Sequence, residues 1–155
     1  MKKILRTIVI LLIVSAATTS SDAGRYVTEY KSLSLTEEDV KLIAKAVRAE
    51  VPNESYLTKA CVAAMIMNRM KDPVLGANAA DTVYEDGAFL YANKASIDRD
   101  VSDEELFEYT ALVKLVAEYG IDPTCGALFC FTEGDRAARR FSITLSSDGF
   151  LFAKP

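Results

Sequence analysis

The sequence predicts an α+β domain in which three helices come first and a small antiparallel sheet follows. Three observations carry this. Apolar residues recur at helical spacing in three stretches between residues 36 and 119. After residue 127 the pattern changes to short alternating runs, with Asp148-Gly149 as a tight-turn pair between the last two. The chain has 155 residues, half of them apolar and 26% charged, which suits one globular domain and argues against wholesale disorder.

The N-terminus reads as an export signal. Lys2, Lys3 and Arg6 precede an uncharged apolar run from Ile8 to Ala17, and small and polar residues follow to Gly24. Ser21-Asp22-Ala23 offers a cleavage site, with Val14-Ser15-Ala16 as a second option. The run is shorter than the ~20 residues of a membrane span. The expected organisation is a signal peptide over 1–23, a polar lead-in over 24–34 and the mature domain over 35–155, placing the protein outside the cell.

Thr36 and Asp39 have capping-box spacing, and Glu37 and Glu38 suit the positive end of a helix dipole. Val40, Ile43, Ala44, Val47 and Val51 then share one apolar stripe, with Lys41, Lys45 and Arg48 expected on the wet side. Pro52 disfavours helix at Val51. A second helix, from Ser55 to Met70, is apolar all round and should be the buried central helix, ended by Pro73. Residues 72 to 100 are expected to be irregular. Ser102 and Glu105 form a second capping-box pattern, opening a helix that runs to Tyr119 and stops at Gly120. Ala127–Phe131, Arg140–Leu145 and Phe150–Ala153 read as the strands.

Composition excludes several chemistries. The chain has no histidine, so Ser-His and Cys-His catalysis are absent, as is the usual zinc ligand. A net charge of -4 gives no basis for nucleic-acid binding. No loop has calcium-motif spacing, and no cofactor is expected. Cys61 reads as a core residue, while Cys125 and Cys130 are free to pair or not. Carboxylates are the natural candidates for chemistry, and Glu50 stands out among them. It borders the apolar stripe and sits at the helix's negative end, and both effects favour its protonated form, as a general acid requires. Glu54 lies four residues on, where helix capping is the plainer role. Glu85 is a candidate second carboxylate. Tyr84, Phe89, Tyr91, Phe129 and Phe131 are candidates for stacking on sugars, with core packing as the alternative.

Five motifs follow one another along the chain: Leu35 to Glu50, Ala60 to Arg69 with its Asn-Arg ending, Thr82-Val-Tyr-Glu-Asp-Gly-Ala-Phe89, Asp122-Pro-Thr-Cys-Gly-Ala-Leu-Phe129, and Phe150 to Lys154. In this order they resemble the SleB/CwlJ-type cell wall hydrolases. The resemblance covers essentially the whole mature stretch. It implies a lysozyme-like domain cutting the glycan strands of peptidoglycan in spore cortex or cell wall, by hydrolysis or lytic transglycosylation. It places Glu50 at the catalytic position; Glu54, Tyr84, Glu85, Phe89, Phe129, Phe131 and Thr132 are the candidate substrate contacts. Membrane contact is expected only through the signal segment, and the sequence names no protein partner. The chain departs from the family pattern at Asn53-Glu54 (usually Gly-Glu), Glu85-Asp86-Gly87 (Gln-Pro-Gly), Leu90 (a small hydroxyl residue), Thr132 (Asn) and Phe150 (His). These departures leave a second reading: a catalytically impaired wall-binding or germination accessory protein on the same scaffold.

Overall fold

The computed structural model describes residues 33–155, so the expected signal peptide and most of the lead-in lie outside the described residues. Three long helices form the body: α1 (Glu37–Glu50), α2 (Tyr56–Lys71) and, later in the chain, the helix Asp103–Tyr119. Between them, the stretch expected to be irregular contains two one-turn helices, α3 (Ala79–Val83) and α4 (Lys94–Asp98), which makes the long one α5. Each short helix is started by an asparagine: the side chain of Asn78 accepts from the Asp81 N–H, and that of Asn93 from the Ser96 N–H.

Local chemistry sets the helix ends where the sequence put them. Thr36 and Asp39 form a reciprocal capping box on α1. Ser55 and Ser102 accept from Thr58 and Glu105 N–H groups at the starts of α2 and α5. Gly120 ends α5 in the left-handed conformation, which glycine adopts without steric cost. The core is the expected one: Val40, Ile43, Ala44 and Val47 of α1, nearly all of α2 from Ala60 to Met67, and Leu106, Leu112, Leu115 and Val116 of α5. Arg48 is an exception to the expected wet stripe. It is buried, because α4 and the start of α5 fold over that side of α1.

The sheet has the order β1-β3-β2, with β1 (Phe129–Thr132), β2 (Ser142–Ser147) and β3 (Phe150–Lys154) all antiparallel. Residues 136–140, partly expected as strand, instead form a 3-10 turn started by Asp135, whose carboxylate accepts from the Ala137 N–H. Cys130 pairs with Phe152 and Thr132 with Phe150, so these four share the face packed on the helices. Phe129 and Phe131 point to the opposite face, where both rings lie against Phe141.

The β2–β3 turn anchors the sheet to α2. Asp148 and Gly149 both have positive φ, as a two-residue hairpin loop demands. From there Asp148 Oδ2 accepts from the Ser55 N–H (2.9 Å), the Ser55 hydroxyl (2.6 Å) and the Thr58 hydroxyl (2.7 Å). These donors lower the Asp148 carboxyl below its ordinary value. Its stabilising contribution is therefore present above the unfolded value of ~3.9 and is lost as pH falls through the depressed folded value. We predict that Asp148→Asn, which tolerates the turn conformation, destabilises the domain by about 1 kcal/mol at neutral pH. Urea unfolding of both proteins across pH should show the difference shrinking below ~pH 4.

Candidate active site

Glu50 ends α1 and is 2% exposed. Both its carboxylate oxygens accept main-chain hydrogen bonds from one segment. Oε1 takes the Leu90 N–H at 2.8 Å, and Oε2 takes the N–H groups of Tyr91 (2.8 Å) and Ala92 (2.7 Å). The surroundings are thus not the purely apolar ones that the periodicity of α1 implied. Helical periodicity reports the faces of α1 but not the backbone polarity of whatever packs on them.

The same segment is held from its other end. Arg69, in the last turn of α2, donates from Nη1 to the Ala88 carbonyl at 2.7 Å and from Nε to the Leu128 carbonyl at 2.6 Å. It thereby ties the loop to the entry of β1. Burial lowers the Arg69 guanidinium from its usual value, and the negative charge of Glu85, among others, opposes that shift. The preceding residue continues the pattern: Asn68 Nδ2 donates to Asp122 Oδ2 (3.2 Å) and to the Ala127 carbonyl (3.1 Å). Asp122 in turn accepts from Thr124 N and Oγ1 and from Gly126 N, so its carboxylate is consumed in shaping the turn 122–127. The Asn-Arg and Asp-Pro-Thr-x-Gly-Ala motifs are two halves of one hydrogen-bonded unit.

The other expected site residues divide into groups. Phe89 lies inside the held segment, half-buried against the core. Tyr84 and Glu85 are on its exposed approach. The Tyr84 hydroxyl bonds Asp98 on α4, which raises the Tyr84 pKa, and Lys94 Nζ lies 5.4 Å from its ring centroid. Glu54 is half-buried and accepts from the Asn53 N–H at 3.0 Å, a local contact in the α1–α2 connection. Thr132 lies on the helix-facing side of the sheet, opposite Phe150. Phe129 and Phe131 are not brought to Glu50. Strand alternation turns them to the outer face of the sheet, where they pack on Phe141 as the alternative to sugar stacking has it.

Tyr91, a stacking candidate in the sequence, is tied to Glu50 by its backbone N–H, and its 60% exposed side chain meets Phe150 edge-on, with centroids 5.9 Å apart. Arg69 was outside the expected contact set. Its signal was a charged residue at the end of a helix otherwise apolar all round. No disulfide joins Cys61, Cys125 or Cys130 among the described residues. Burial, then the Glu50 charge, pushes Cys130 up to about 12, so it is a packing residue rather than a nucleophile. Among the described residues, no group of three His, Cys, Asp or Glu could hold a metal ion, and no helix is long and apolar enough to cross a membrane.

Comparison with known proteins places this architecture. The catalytic domain of SleB from Bacillus cereus superposes with a TM-score of 0.61 at 22% identity, covering 83% of this chain and 96% of that one. The catalytic domain of the germination-specific lytic transglycosylase SleB from Bacillus anthracis gives 0.61 at 25% identity, over 78% and 98%. The fold is thus that of lysozyme-like SleB catalytic domains. A spore cortex-lytic enzyme of Halalkalibacterium halodurans is 30% identical over 100 residues, which is 62% of this chain but only 28% of that protein. The Cell Wall Hydrolase family matches residues 53–146, and the chain belongs to that family. The matched span holds the Asn-Arg and Asp-Pro-Thr motifs and the held loop; Glu50 lies three residues before it.

The Glu50 contacts predict a specific mutational outcome. In Glu50→Gln one acceptor oxygen becomes an NH₂ donor facing main-chain N–H groups. The substitution should cost about 1–3 kcal/mol, concentrated in the loop. Amide hydrogen exchange should show protection lost at Leu90, Tyr91 and Ala92 while α2 stays protected.

Proposed function

We propose that this protein is an exported enzyme that cleaves the glycan strands of peptidoglycan, with Glu50 as its general acid and then base. Membership of the Cell Wall Hydrolase family supports the substrate class. The observation that carries the residue assignment is the position of Glu50: a buried carboxylate at the end of α1, directly beneath the loop that bears Phe89 and Tyr91. Asp122, another buried carboxylate, is spent on its own turn.

In this reading the segment 90–92 moves off the carboxylate when a glycan enters between Tyr91 and the β2–β3 end of the sheet. The three N–H groups lie across the carboxyl oxygens, so a glycosidic oxygen reaches Glu50 only once this segment has moved. Once uncovered, Glu50 protonates the glycosidic oxygen between muramic acid and glucosamine. The cationic sugar is then captured by its own primary hydroxyl, with Glu50 taking the proton back, or by water assisted by a second carboxylate. Glu85, exposed on the same loop, is the candidate for that second role. Glu54, Tyr84, Phe89 and Thr132 are the proposed supporting contacts. The site of action is the spore cortex or cell wall, reached through the N-terminal signal.

The main-chain cover over Glu50 favours a second reading, in which the chain binds peptidoglycan without cutting it. Incubating purified protein with spore cortex and with vegetative sacculi, followed by mass spectrometry of released muropeptides, separates the two. Cleavage by the natural sequence, its loss by at least about a hundredfold in Glu50→Gln, and its retention in Glu104→Gln, on the exposed first turn of α5, are the expected results. Anhydro ends would indicate transglycosylation, and reducing ends hydrolysis. Binding to sacculi without product from either substrate overturns the enzymatic reading in favour of the second.

A further inference from the structure

Arg48 is the residue of the expected wet stripe that the fold buries, and its hydrogen bonding is incomplete. Its side chain is only 10% exposed. Nη2 donates to the Ser96 carbonyl at 2.8 Å. Nη1 approaches Glu105 Oε1 at 3.6 Å, beyond hydrogen-bond reach. Nε has no partner, and among the described residues it is the buried side-chain polar atom so left. Buried donors are nearly always satisfied, but Nε is enclosed; the donor left for a ligand is Nη1, which has no acceptor within hydrogen-bond reach in Glu105.

Arg48 lines a cavity of about 360 Å³, shared with Pro52, Ser96, Arg99, Glu105 and Tyr109. Its size is at the small end of the ~300–1,000 Å³ range for ligand sites. Two guanidinium groups face one carboxylate, leaving a surplus of one positive charge. Glu105 is already engaged by Arg99 Nη2 at 2.7 Å. The Tyr109 hydroxyl is engaged too, donating to the Pro52 carbonyl at 3.1 Å, and Lys59 Nζ lies 5.0 Å from its ring centroid, so this residue offers only the part of its ring that lines the cavity. Residues 48 and 50 are ~200° apart around α1, so this cavity is on the opposite side from the Glu50 contacts.

We propose that the cavity is a binding site for a carboxylate monoanion with a small apolar body. The carboxylate is held by Arg48 and Arg99, and the body rests against Pro52 and the Tyr109 ring. Planar guanidinium groups pair with carboxylates through parallel hydrogen bonds, and a single negative charge matches the surplus. Glu105 is the internal competitor: it starts on an exposed turn of α5, and its carboxylate is displaced from Arg99 as the ligand enters.

The test titrates the full chain with N-acetyl-alanyl-alanine, either as free acid or as C-terminal amide, followed by amide chemical shifts. The acid should shift resonances around Ser96 and Arg99, and the amide should not. Arg99→Gln, on a side chain 58% exposed, should weaken binding by about tenfold or more. Glu105→Gln, which removes the competitor, should tighten it. Equal shifts from acid and amide, no shifts at millimolar probe, or affinities unchanged in both variants would overturn the proposal. None of these readouts depends on glycan cleavage, so the outcome is independent of the proposed activity.

Discussion

One short segment of irregular backbone, residues 88–92, is held between two buried charges of opposite sign. Arg69 takes its carbonyl end and Glu50 its N–H groups. The segment has no ladder or helix of its own to satisfy these groups, and leaving them unpaired inside the domain would cost more than the bonds themselves return. Each side chain therefore does for this loop what a neighbouring strand does in a sheet. The two are placed by the last turns of α1 and α2, so the loop is positioned by the rigid part of the core.

The remaining architecture extends from the same grip. Arg69 also holds Leu128, and Asn68 beside it holds Asp122 and Ala127, so the end of α2 fixes both the loop and the entry to the sheet. At the start of α2, Asp148 holds the β2–β3 turn. The sheet is thus fastened at both ends of one buried helix, and Phe150 is brought against Tyr91. That juxtaposition frames the proposed glycan entrance.

Much of this was legible in the sequence, because the signals were local. Thr36, Ser55, Ser102 and Gly120 stand at the helix ends where capping chemistry put them, and the all-apolar α2 is the buried helix. What was not legible depended on tertiary neighbours. Arg48 looked like a solvated residue because the periodicity of α1 cannot register α4 folding over it. The short helices α3 and α4 hold too few residues for a periodic pattern, although Asn78 and Asn93 carried their caps in plain view. Phe129 and Phe131 were read as possible sugar platforms, but the face they take is set by the register of β1 against β3, which only pairing fixes. Glu50 was singled out by its place on a helix edge together with the family resemblance, whereas its amide partners come from a loop 40 residues away.

The central claim is that the segment 90–92 covers Glu50 at rest and leaves it when glycan binds. Its most direct measurement is amide hydrogen exchange at Leu90, Tyr91 and Ala92, with and without a purified peptidoglycan glycan oligosaccharide. The account predicts strong protection in the free protein and faster exchange at these amides when the oligosaccharide is present. Unchanged protection while the oligosaccharide is being cleaved would contradict it, because the carboxylate would then be catalysing nothing from beneath its cover.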